Sequence, residues 1–108
     1  MTDSDDEPLF EVQTPLGFAV RVTHQRWRLI TTSKHPVMTG REGVVKSVLE
    51  SPDEVRQSRT DPQVLLFYRR EAAKRWTCAV AKRGGTDGFL ITTYPTDAIK
   101  EGVRVWPK

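Results

Sequence analysis

Residues 64–94 contain three runs crowded with aromatic and β-branched side chains: Val64–Arg70 (VLLFYRR), Trp76–Lys82 (WTCAVAK) and Phe89–Tyr94 (FLITTY). Side chains of this kind suit a pleated, half-buried surface, so each run predicts a strand. The links between them, Glu71–Arg75 and Arg83–Gly88, are short. A parallel pairing needs a crossover of about a dozen or more residues, so the three strands must pair as antiparallel hairpins. Gly84-Gly85 with Gly88 supplies turn geometry for the second link.

The first half of the chain reads differently. Phe10 and Val12, then Phe18, Val20 and Val22, alternate with Glu11, Gln13, Ala19 and Arg21 around Thr14-Pro15-Leu16-Gly17, which predicts a β-hairpin with an edge position at Pro15. At Thr23 the period lengthens. Thr23 can cap a helix over residues 24–32 with Trp27 and Ile30 inward, and Ser33-Lys34-His35-Pro36 ends it. Thr39 and Glu42 have capping-box spacing ahead of Val44, Val45, Val48 and Leu49, which predicts a second helix. Ser51-Pro52-Asp53-Glu54 repeats the capping pattern and predicts a short turn around 52–57. Thr96 caps a further short turn that ends at Gly102, and Val103–Trp106 can add a brief final strand. The expectation is an α+β fold: two helices, preceded by a β-hairpin, packed on one face of an antiparallel sheet of three to four strands.

Length and charge narrow the function. One hundred and eight residues make one domain, expected over residues 9–108 behind a disordered acidic tail at residues 1–8. The net charge of +3 conceals an asymmetry: four of the 14 acids fall within the first seven residues and none of the 17 bases does, so residues 8–108 carry +7. A basic body suits an anionic partner, with RNA the foremost candidate, although an ordinary Arg-rich surface fits the same count. No run approaches the ~18 apolar residues of a membrane span. The single cysteine, Cys78, excludes an internal disulfide framework, and a reducing, cytoplasmic setting without membrane attachment follows as the expectation.

Phosphate-loop, dinucleotide-binding, zinc-protease and serine-elbow motifs are all absent. Two histidines eleven residues apart and one cysteine offer no metal-ligand spacing, so neither a metal nor a cofactor is expected. The polar residues that remain suit phosphate chemistry. His35 sits in the break between the helices, where an imidazole can take or give a proton near neutral pH; the same position also suits a histidine that only closes a helix end. Arg69 and Arg70 follow Tyr68 at the end of a strand, with Tyr68 and Arg70 on one face. A guanidinium matches phosphate oxygens, whereas paired arginines at a strand end are often simply solvated. Lys82 and Arg83 occupy what reads as the corresponding end of the next strand. Thr92 and Thr93 face opposite sides of their strand, so only one can present its hydroxyl to a cleft. Trp27, Trp76 and Trp106 read as core or staple residues.

Val22–Pro36 (VTHQRWRLITTSKHP), Leu49–Val55 (LESPDEV), Leu66–Arg70 (LFYRR), FLITTY and Ile99–Gly102 (IKEG) together resemble the PBECR group, small phage and bacterial nuclease-like domains of the barnase–EndoU–colicin–RelE superfamily. The resemblance spans residues 20–106. It implies a fold of that type and RNA cleavage without metal: a base frees the ribose 2′-hydroxyl to attack phosphorus, an acid protonates the departing 5′-oxygen, and a 2′,3′-cyclic phosphate results. It implies catalytic roles for His35 as base or acid, Arg70 as phosphate clamp, and Thr92 or Thr93 with Tyr94 as positioning groups; from the residues themselves, Tyr68, Arg69, Lys82 and Arg83 are expected at the substrate beside Tyr94. An antitoxin or immunity protein is the implied protein partner. One departure stands out: Leu29, within Trp27-Arg28-Leu29-Ile30, replaces a histidine of the W-x-H-I pattern. Loss of an acid–base partner is worth a factor of ~10²–10⁴ in rate, so a non-catalytic nucleic-acid-binding or protein-interaction module is the alternative.

Overall fold

The structure is a computed structural model and describes residues 7–108. Of the acidic tail expected over 1–8, residues 1–6 therefore lie outside the described residues, and Pro8 already belongs to a strand. The chain forms β1 (Pro8–Gln13), β2 (Ala19–Thr23), α1 (His24–Leu29), a π-helical turn (Ile30–Lys34), a 3₁₀ turn (Pro36–Met38) and α2 (Glu42–Glu50). Then come β3 (Glu54–Gln57), β4 (Val64–Ala72), β5 (Arg75–Gly84), β6 (Asp87–Thr96) and β7 (Val103–Trp106). All seven strands join one mixed sheet in the order β1-β2-β6-β5-β4-β3-β7.

This corrects the expected architecture. The sheet has seven strands rather than three or four, it is not wholly antiparallel, and the two α-helices are short, of six and nine residues. The β1–β2 hairpin does not stand apart before the helices. It joins the sheet through a parallel pairing of Ala19–Arg21 with Asp87–Phe89. The segment expected as a turn at 52–57 is β3, paired antiparallel with β4 from Glu54↔Tyr68 to Gln57↔Leu65. Proline at 52 suited a helix start, but Asp53 instead donates its amide to the Tyr68 carbonyl and aligns the chain with β4.

Thr23 does cap α1, accepting a hydrogen bond from the Arg26 amide at 3.1 Å. The expected capping box at Thr39 does not form: the Thr39 hydroxyl donates to the Pro36 carbonyl at 2.8 Å, and α2 begins after Arg41 without a side-chain cap.

The helices cover one face of the sheet, and residues 97–102 cover part of the other, where Trp76, Val80 and Tyr94 stay half-buried. From β2 the chain crosses one face through α1 and α2 to reach β3, where Trp27, Ile30, Met38, Val45, Val48 and Leu49 pack with Phe18, Leu65, Phe67, Ala79, Ala81 and Leu90. Ala79 and Ala81 are small where α2 crosses β5. Phe18 and Phe67 meet at the centre, ring centroids 6.3 Å apart. From β6 the chain returns over the opposite face through residues 97–102 to place β7 outside β3. There Leu66, Tyr68 and Cys78 are buried, with Trp76, Val80, Tyr94 and Ile99 packed against them. Burial on both faces explains why β4 reads as an almost unbroken apolar run.

Candidate functional site

The face opposite the helices is built from cross-strand rows on β4, β5 and β6. One row is Arg70–Trp76–Thr96, the next Tyr68–Cys78–Tyr94, the next Leu66–Val80–Thr92. A register shift opposite Val80 and Ala81 leaves Ile91 unpaired. It puts Thr92 on this face while Leu90 and Thr93 face the helices.

His35 reaches this face from the edge. Beyond Phe89, β6 has no strand on its outer side among the described residues, and the π-helical and 3₁₀ turns lie along it. The His35 amide donates to the Ile30 carbonyl at 2.7 Å, while its own carbonyl accepts from Met38 at 2.9 Å, which anchors the backbone between the two turns. The half-buried ring packs on Tyr94, centroids 5.4 Å apart and tilted by 41°.

Arg70 stands at the far end of β4. Its amide donates to Asp53 Oδ2 at 2.6 Å, its Nε donates to the Ala72 carbonyl at 3.2 Å, and its guanidinium lies 5.8 Å from the Trp76 ring centroid. It borders an open cavity of about 830 Å³ with Asp53, Glu54, Glu71, Trp76 and Ile99. Three carboxylates against one guanidinium make this end less favourable to phosphate than the arginine alone would be. Two of the three are engaged: Asp53 with the Arg70 amide, and Glu54 with Arg56 Nε at 2.6 Å. β4 and β6 are two strand spacings, about 10 Å, apart. Arg70 and His35 thus flank a strip of sheet floored by Trp76 and Tyr94.

The other expected site residues are dispersed. Tyr68 is buried, 2% exposed, and Thr93 is fully buried with its hydroxyl donated to the Cys78 carbonyl at 2.8 Å; neither has a face left for substrate. Arg69 turns the other way and ties its Nη1 to the Ser51 carbonyl at the end of α2. Thr92 lies on the right face, with a buried hydroxyl that has no hydrogen-bond partner among the described residues. Lys82 and Arg83 are not beside Arg70 at all. Antiparallel pairing sets Lys82 opposite Val64 and Arg70 opposite Trp76, so these cations occupy the other end of the sheet. Lys82 pairs with Asp61 at 3.5 Å, and Arg83 lies over Phe18 and donates to the Gly85 carbonyl.

Between the two ends, the Cys78 sulfur sits in a row with hydrogen bonds to the Tyr68 and Tyr94 hydroxyls. Burial pushes its thiol up to about 12, against the lowering by those two hydrogen bonds. Burial, and then the neighbouring Cys78, raise both phenols as well. None of the three ionises near neutral pH, so none is a nucleophile there. Among the described residues no three His, Cys, Asp or Glu side chains converge to hold a metal ion, and no helix is long and apolar enough to cross a membrane.

Sequence reasoning missed Asp53, Trp76 and Phe89 as parts of this face. The short Glu71–Arg75 link held a usable signal for Trp76, since a hairpin of that length sets it opposite Arg70. No protein-family model, curated protein or solved structure matches the chain.

Proposed function

We propose that this protein is a metal-independent endoribonuclease acting in the cytoplasm, with the sheet face opposite its helices as the RNA-binding surface. The observation that carries this reading is the pairing of His35 with Tyr94 and of Arg70 with Trp76, since both rings belong to one apolar cluster on one face. His35 is the group that moves a proton, Arg70 the group that stabilises charge on the phosphoryl oxygens, and Trp76 and Tyr94 floor the strip between them, with Thr92 one row beyond Tyr94. The resemblance to PBECR nucleases supports the same assignment, with an antitoxin or immunity protein as its proposed protein partner.

Leu29 favours a second reading. It is 42% exposed on α1 and cannot transfer a proton. Tyr94 does not replace the missing acid, because its hydroxyl is bound to Cys78 and held well above the ordinary phenol range. A face of this kind without a second proton-transfer group binds RNA and cuts it slowly or not at all.

Incubating the chain with RNA in a chelator, followed by end-group analysis, decides between them. Cutting to 2′,3′-cyclic phosphate ends that falls at least about 100-fold in both His35→Ala and Arg70→Ala supports the nuclease. Cutting that survives both substitutions removes the assignment, and RNA binding without cutting establishes the second reading.

A further inference from the structure

The far end of the same face carries a second constellation. Phe89 on β6 pairs with Arg21 on β2 and with Lys82 on β5, so one cross-strand row reads Arg21–Phe89–Lys82–Val64. Phe89 is 48% exposed, a large aromatic left open to solvent between two cations. It borders a cavity of about 460 Å³ with Arg21, Gln63, Lys82, Arg83 and Asp87, within the range of small-ligand sites. The cations are not free of carboxylates: Arg21 lies 3.9 Å from Glu11 and Lys82 3.5 Å from Asp61, with Asp87 at the rim. Both pairs are roughly half exposed, and exposed pairs of this length contribute little, so either cation can turn to a phosphate. Arg83 has no carboxylate partner among the described residues; its guanidinium sits 4.8 Å from the Phe18 ring centroid.

The geometry points to a nucleotide subsite: a base of single-stranded RNA stacks on the open face of Phe89, and Arg21 and Lys82 hold the flanking phosphates. Aromatic rings between basic side chains on a sheet bind single strands this way, because every base has a π-face. Trp76 and Lys82 lie six residues apart along β5, about 20 Å, comparable to single-strand sites at the short end, about four nucleotides. The inference rests on the proposed RNA-binding face and extends it: an oligonucleotide runs from the His35–Arg70 end, over Tyr94 and Val80, to Phe89.

The test is fluorescence anisotropy with a labelled, uncleavable 2′-O-methyl RNA hexamer and with a dinucleotide of the same chemistry, in a chelator. Phe89→Ala should weaken the hexamer about tenfold or more and leave the dinucleotide unchanged, and Phe89→Trp should restore the hexamer. Lys82→Glu should weaken the hexamer alone. Because Phe89 is half exposed, thermal melts should show the variants folded. Hexamer affinity unchanged in Phe89→Ala overturns the subsite, as does equal loss for both ligands. Failure here is separable from failure of the nuclease reading. His35-dependent cutting with no role for Phe89 overturns the subsite alone, and Phe89-dependent binding without cutting overturns the nuclease alone.

Discussion

At the scale of single residues, Cys78 shows how environment sets chemistry. A lone thiol between two phenols could pass for a reactive centre. Burial instead holds it neutral, its pKa pushed up to about 12, well above that of an ordinary thiol. The native protein should therefore resist iodoacetamide at pH 8 and react promptly once unfolded in urea, as mass spectrometry of the alkylated chain will show. The same shift sets a pH dependence. An acid whose pKa is raised on folding contributes stability that is complete below its unfolded pKa and is lost as pH climbs through the folded value. Melting temperature should fall above pH 9 toward pH 12, with Tyr68 and Tyr94 adding to the loss, and the fall should be shallower in Cys78→Ala. His35 and Arg70 belong to the other kind of residue, partly open and set at opposite margins of a strip. The sequence marked both by type, but only the register shows that Trp76 and Tyr94 lie between them.

Among the elements, the link over residues 97–102 decides whether the second face is covered. Gly102 has a φ of +83°, and a Cβ there would sit 2.5 Å from the Gln57 carbonyl oxygen. Gly85, at the tip of the β5–β6 hairpin, has a φ of +80° with open space around it. Substituting alanine at either position meets the backbone penalty, but only Gly102→Ala also meets a clash. Gly102→Ala should lower unfolding free energy by more than about 1 kcal/mol and by clearly more than Gly85→Ala, as judged by urea denaturation. An equal loss for the two would show that β3 and the link give way freely. The helices teach a related lesson. Thr23 caps α1 as its type and spacing predict, yet Thr39, equally well spaced, lies two residues ahead of Arg41, the N-cap position of α2, and donates its hydroxyl back to the Pro36 carbonyl.

For the molecule as a whole, the two ends of one sheet face carry different cations: Arg70 at one, Arg21 and Lys82 at the other. An RNA that touches both should show affinity that falls with salt, with a slope in log–log form of about −2 if three phosphates are neutralised. Binding measured from 50 to 300 mM potassium chloride checks this, and a flat profile would remove the extended RNA path.

The amino-acid order by itself determined the local features: three central strands joined as hairpins, helix starts and breaks at Thr23 and Pro36, a basic body, and the residue types able to handle a phosphate. These follow from side-chain shape and from neighbours a few positions away. The tertiary structure alone decided the rest. Sheet order depends on pairings between distant segments, such as the three-residue parallel match of β2 with β6, that no local period announces. It made a strand of 54–57 because β4 offered an open edge. It also placed Lys82 and Arg83 far from Arg70, because antiparallel strands bring the end of one beside the start of the next.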